Sequence, residues 1–209
     1  MNRLPAWIRQ HLAALRALLV FTVICGAAYP LVVLGIAQAA MPGQANGSLV
    51  RDHGQVAGSS LLCQPFVTAK GAPLPQYFQP RPSLAVTPSG AKCNPEDSAG
   101  SNLGPNSITL RRQIVARRAQ VAKFNGVSPA SVPPDAVTAS ASGLDPGISP
   151  AYAYLQADRV ARARHASPAA VRALVSRFVQ GRSLGFLGEP RVDVLTLNIA
   201  LDQRFPVRR

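Results

Sequence analysis

No charged residue lies between Arg16 and Arg51. Within that gap, Ala17 to Ala40 reads ALLVFTVICGAAYPLVVLGIAQAA, 24 residues whose only polar side groups are on Thr22, Tyr29 and Gln38. At about 1.5 Å per residue, a helix of this length covers roughly 36 Å, against about 30 Å for a hydrocarbon core. The stretch therefore predicts a transmembrane helix over 17–40. A cleaved signal peptide is the competing reading, since Ala37-Gln38-Ala39 has small-x-small character. Signal h-regions run only about 7–15 residues, so a retained anchor fits better. Arg3, Arg9 and Arg16 precede the span and no acid does. By the positive-inside rule, residues 1–16 are cytoplasmic and residues 41–209 extracytoplasmic. Pro30 removes a backbone donor and predicts a kink. Gly35 and Ala39 form a small-xxx-small pair that lets another helix approach closely. With no charge in the span, this helix alone carries neither ion nor proton.

All 9 acids and all but three of the 22 basic residues lie beyond residue 40, which leaves that part at net +10. In the cytoplasm such a charge suggests nucleic acid. Outside the membrane it suggests anionic headgroups or an acidic protein surface, and no nucleic acid. Three histidines, His11, His53 and His165, have no ligand spacing, so no metal site is expected. Cys25 falls in the membrane span. Cys63 and Cys93 could pair, closing a loop of about 30 residues.

Ser107 is an N-cap candidate for a helix to Phe124, with Leu110, Ile114 and Val121 on one face and Arg111, Arg112, Arg117, Arg118 and Lys123 mostly elsewhere. Ser149-Pro150 and Ser167-Pro168 each open a helix with a capping Ser before a first-turn Pro, the first running to about Arg164 and the second stopping near Gly181. Residues 55–63 (QVAGSSLLC) suit a strand pair and 190–201 (PRVDVLTLNIAL) a buried strand. Residues 64–106 are rich in Pro, Gly, Ser and Asn without periodicity; a loop this long is functional or disordered. The fold class is α+β: one N-terminal transmembrane helix, then one mixed outer domain.

Two enzyme-like motifs are weak. Ala99–Gly104 (AGSNLG) could cradle an anion but lacks the Lys and spacing of a P-loop. Ser140 and Ser142 could serve an anchored hydrolase, yet the G-x-S-x-G elbow is missing, and a capping turn explains the segment as well. A free-standing envelope protein that binds anionic lipid or an acidic partner through the 107–124 helix is the alternative from the binding class.

Eight stretches in order carry a resemblance: GAAYPLVVLGIAQ at 26–38, NGSLV at 46–50, GSSLLCQPF at 58–66, YFQPRPS at 77–83, SAGSNLGPNS at 98–107, VPPDAVTASASGLDPGISP at 132–150, QADRVARAR at 156–164 and GEPRVDVLTLNIALD at 188–202. Together they resemble the C subunit of the Kdp potassium-transporting P-type ATPase, over nearly the whole chain from about residue 15. Residues 70–76 and the Cys at 63 and 93 stand outside that pattern. The resemblance implies a non-catalytic accessory subunit of an ATP-driven, high-affinity potassium uptake system in the cell inner membrane, needed for assembly. Its implied partners are a channel-like potassium-binding subunit, an ATP-hydrolysing P-type subunit and a small single-helix subunit. No cofactor is implied for this chain itself; ATP and potassium ion belong to the complex. The family's proposed role as a catalytic chaperone raising ATP affinity falls on Gln156. The motif matches nominate Asn46, Gly47, Ser48, Arg81, Ser101, Asn102, Ser142, Gly143, Asp145 and Arg159 as folding or docking residues.

Overall fold

The computed structural model describes residues 5–207, which form two compact units, one up to Ser48 and one from Leu49. In the first unit, α1 (Ala6–Val23), a π-helical turn (Ile24–Ala28) and α2 (Tyr29–Ala40) make one continuous helix. It is long and apolar enough to cross a membrane, and it starts at Ala6 rather than 17, so Arg9 and Arg16 lie on it. Pro30 has no N–H for the carbonyl four residues back, and its ring crowds that carbonyl. The π turn just before it absorbs the misfit: Tyr29 N–H reaches back five residues to Ile24 O. The helix ends at Met41, followed by the single turn α3 (Pro42–Ala45).

The second unit opens with the hairpin β1 (Leu49–Asp52) and β2 (Gln55–Ser59), antiparallel and bulged after Val50. His53 and Gly54 both have positive φ, as the two-residue hairpin turn requires. The expected strand pair within 55–63 is therefore one strand, and its partner lies on the other side of this turn. Helix α4 (Ile108–Asn125) starts at Ser107, whose hydroxyl accepts from Leu110 N, and ends at the left-handed Gly126. Strand β3 (Gly147–Ile148) leads into α5 (Pro150–Ala163) and α6 (Pro168–Phe178), each capped by the Ser before its Pro. Then come β4 (Val179–Gln180), β5 (Arg191–Asp193) and α7 (Val194–Arg204). Strand β5 lies between β3 and β4, antiparallel to both.

Residues 190–201 correct the expectation of one buried strand. Only Arg191–Asp193 is extended. Asp193 Oδ1 accepts from Thr196 N and Oγ1, both at 2.7 Å, and this cap starts α7. Val194, Leu197, Asn198 and Leu201 are buried at helical spacing, a period the short apolar run concealed. The core joins Ala153, Ala157 and Val160 of α5 to Val171, Leu174 and Val175 of α6 and Leu197 and Leu201 of α7. Arg172 and Asp158 close the solvent side of the α5–α6 pair at 3.0 Å.

Candidate functional site

Residues 60–106 form no helix and only isolated bridges, yet the segment is ordered and partly buried. A buried backbone must have its N–H and C=O groups paired. Here side-chain amides supply what strands normally would. Asn198 of α7 accepts from Phe78 N at 2.9 Å and donates to Phe78 O at 3.0 Å. Gln156 of α5 accepts from Gln79 N at 2.8 Å and donates to Gln79 O at 3.1 Å. Gln156 and Asn198 are both fully buried. The segment is thus a strap laid across two helices, with Phe78 pressed into the core.

Two arginines hold the strap's first half. Arg159, buried on α5, donates to Pro75 O, Tyr77 O, Gln156 Oε1 and Asn125 Oδ1 and stacks over the Phe124 ring at 4.4 Å. No carboxylate pairs with it among the described residues, and burial pushes its pKa down to about 10. Arg164 donates to Gln76 O and Phe205 O, each at 2.7 Å, and lies over the Tyr77 ring. Its Nη2 stands 2.8 Å from Asp202 Oδ1. Tyr77 donates to the other Asp202 oxygen, and burial followed by the Asp202 charge raises its pKa.

The second half of the strap meets the loop 139–145. Arg81 pairs with Asp145 at 2.9 Å, so two residues nominated from separate motifs meet in one half-exposed ion pair. Ser83 Oγ donates to Gly143 O and accepts from Ala85 N and Cys93 N. Ser142 O accepts from Ala99 N and Ser98 Oγ, each at 2.9 Å. Ser140 and Ser142 accept from Gly143 N and Leu144 N within their own loop, which is the capping role that competes with a nucleophile. Gly143 has φ +75°, and a Cβ there would lie 2.7 Å from Ala99 O and 2.8 Å from Ala85 Cβ. The Cys63–Cys93 disulfide ties the two ends of this stretch across 30 residues. Reducing it is expected to cost the domain about 3–4 kcal/mol from loop entropy. Urea unfolding of the full chain in detergent with and without reductant measures this; an unchanged midpoint would mean the amide clamps alone fix the strap.

The remaining nominated residues lie apart. Asn46 belongs to the first unit, where it exchanges hydrogen bonds with Gln38 and donates to Pro42 O. Gly47 and Ser48 follow with positive φ and close that helix end. Ser101 and the left-handed, exposed Asn102 lie in the loop before α4, where Ser101 Oγ accepts from Leu103 N. A cleft of about 310 Å³ opens beside the strap, lined by Pro65, Pro73, Gln79, Arg81 and Lys92, with Arg117 of α4.

Two features escaped the sequence reading. Val67-Thr68-x-x-Gly71-Ala72 and Val86-Thr87-x-x-Gly90-Ala91 are an internal repeat: in each, the Thr N–H bonds to the Ala O and the Thr hydroxyl accepts from the Ala N–H. The repeat was legible in the letters alone. The other is the loop between β4 and β5, bridged at Ser183–Leu187, which presents Leu184 (82% exposed), Phe186 (69%) and Leu187 (50%) to solvent. Arg182 and Glu189 pair at its base at 2.9 Å.

Comparison with known proteins adds a direct finding. Residues 11–203 match the family model described as KdpC: K+-transporting ATPase, c chain. The chain is 47% identical over 201 residues to the potassium-transporting ATPase KdpC subunit of Beijerinckia indica subsp. indica, covering 96% of this chain and 97% of that one. It is 52% identical over 189 residues to the subunit of the same name from Sorangium cellulosum, covering 90% and 95%. It is 50% identical over 188 residues to that of a Caulobacter strain, covering 89% of each.

Proposed function

The chain belongs to the KdpC family, the c chain of K+-transporting ATPases, and from that premise we propose that it is a non-catalytic, membrane-anchored accessory subunit that assembles with the ion-selecting and ATP-hydrolysing subunits of such a pump. The family match over residues 11–203, which includes both the apolar helix and the outer domain, carries this reading. The three N-terminal arginines and the disulfide of the second unit both favour a cytoplasmic N-terminus and an extracytoplasmic domain in the inner membrane. The small face at Gly35 and Ala39 suits packing against a partner's helix. The exposed Leu184, Phe186 and Leu187 suit docking onto a partner's outer surface.

A direct nucleotide contact through Gln156 is not part of the proposal. Its amide is buried and occupied by the Gln79 backbone, so binding there would have to pull the strap from the core. Any effect on ATP affinity is instead exerted at a distance, through how the subunits pack. Arg81, Asp145, Ser142, Gly143 and Arg159 act by shaping the domain, whereas Ser101 and Asn102 remain candidates for direct contact.

Co-expression with the other subunits tests this. The wild-type chain is expected to co-purify with a channel-like subunit and a P-type ATPase in stoichiometric amounts. Leu184→Ser, Phe186→Ser and Leu187→Ser together are expected to reduce recovery at least about tenfold, as loss of an apolar anchor cluster does. Recovery of the wild-type chain alone, with the other subunits present and stable, would overturn the reading. Undiminished recovery of the triple variant would move the docking surface elsewhere.

A further inference from the structure

Helix α4 carries five basic residues, Arg111, Arg112, Arg117, Arg118 and Lys123, and no acid. Arg117 is turned inward, where it donates to Val137 O at 3.1 Å. Arg111, Arg112 and Arg118 face solvent, with no ion pair or hydrogen bond from their side chains among the described residues. Elsewhere in the domain Arg81, Arg164, Arg172 and Arg182 each meet a carboxylate, and the buried Arg159 is held by backbone and amide acceptors. The same exposed face of α4 carries Ile108 (68% exposed) and Val115 (61%). Ile108 lies three and four residues before Arg111 and Arg112, Val115 four and three after them, and Arg118 three beyond Val115, so these five side chains form one stripe. The stripe alternates apolar and cationic groups rather than separating them. That pattern suits the boundary between headgroups and acyl chains, where short aliphatic groups enter and guanidinium groups pair with phosphate.

We propose that this face of α4 lies against the anionic phospholipid headgroups of the bilayer in which the chain's own helix is anchored. Charge complementarity and tethering select this occupant. The unpaired arginines meet a surface of phosphate oxygens. The eight residues between Ala40 and Leu49 reach no more than about 30 Å even when extended, so the domain stays beside that bilayer. A basic residue at an anionic surface contributes about fivefold in binding, so three contribute roughly 100-fold to the ratio of docked to undocked states. The proposal does not depend on the subunit reading, because it needs only this chain and lipid.

The test uses the full chain, with Cys25→Ala removing the free thiol and Val115→Cys supplying a single labelling position, since Cys63 and Cys93 are bonded to each other. A polarity-sensitive fluorophore at residue 115 is read in nanodiscs of phosphatidylcholine and of phosphatidylcholine with phosphatidylglycerol, with nitroxide-labelled lipid as quencher. Quenching and a blue shift are expected in the anionic discs only, and high salt should reverse both. Arg111→Gln, Arg112→Gln and Arg118→Gln together should abolish the signal, and the corresponding Lys variants should restore it. These exposed changes leave the core intact, and an unchanged melting temperature verifies that. No lipid quenching in either disc would overturn the proposal. So would quenching independent of anionic lipid, or a blue shift that appears only when other subunits are added, which would assign the face to a protein partner.

Discussion

Arg159→Met is expected to destabilise the second unit by about 3–5 kcal/mol, the loss typical when one side of a buried charged network is removed. Methionine fills much of the volume over Phe124 but leaves Pro75 O and Asn125 Oδ1 without the arginine donor, while Gln156 Oε1 keeps Gln79 N and Tyr77 O keeps only the longer bond from Gln79 Nε2. An apolar replacement can match a buried ion pair when both partners are replaced; here the acceptors remain, each costing about 1–3 kcal/mol if left unmet. Arg159→Lys should recover only part, because an ammonium has three donors and no planar fork. Urea unfolding followed by far-ultraviolet circular dichroism measures both variants. A loss below about 1 kcal/mol for Met would mean that the strap carbonyls turn to water instead, against the network described. The effect should not vary with pH near neutrality. Burial holds Arg159 down to about 10 and pushes Tyr152 up to about 12, so neither titrates there. In alkali the two oppose each other. The unfolded chain keeps the arginine proton that the native state loses, which raises stability as pH climbs from about 10. It also loses the tyrosine proton that the native state keeps, which lowers stability over about 10–12.

Gly143→Ala is expected to be at least as severe, about 4 kcal/mol or more, and to leave little folded protein. The left-handed backbone costs an L-residue about 1–2 kcal/mol by itself. The added methyl would also stand 2.7 Å from Ala99 O, 2.8 Å from Ala85 Cβ and 2.9 Å from Ala85 N, all in chain that the strap holds fixed. Gly104→Ala is the matched control, because a Cβ there meets nothing within 4 Å; its effect should stay within about 0.5 kcal/mol. Equal thermal midpoints for Gly143→Ala and the parent would show that loop 139–145 can separate from the strap at little cost.

Capping chemistry made much of this legible in advance. Ser107, Ser149 and Ser167 announced α4, α5 and α6, because a hydroxyl before a helical first turn has one dominant use. The apolar span announced the long helix, although its amphiphilic first turns, from Ala6 to Arg16, lie outside any run of apolar letters. Helix α7 was misread because its apolar residues crowd into twelve positions, where strand and helix periods look alike; Asp193 three before Thr196 was the signal that decides. In the letters alone the strap is a long loop without periodicity. Its order comes from Gln156 and Asn198, polar residues that no periodicity marks as core and whose partners are backbone groups far along the chain. Among the nominated residues, Arg81 with Asp145 was recoverable as a pair only in space. Arg159 proved to be a buried clamp, and the exposed Leu184, Phe186 and Leu187 went unremarked because three apolar letters in a glycine-rich turn resemble a hairpin end.

The clamps also constrain the order in which the chain can fold. Phe78 waits for Asn198, Gln79 for Gln156 and Tyr77 for Asp202, separations of 120, 77 and 125 residues. Closing loops of that size precedes any return from the contacts, so the middle of the chain stays unsettled until nearly the last helix has emerged. In synthesis from the N-terminus the proline-rich segment therefore emerges before its partners and is fixed last. Loss of α7 from the C-terminus would remove Asn198, and with it the register of residues more than a hundred positions upstream.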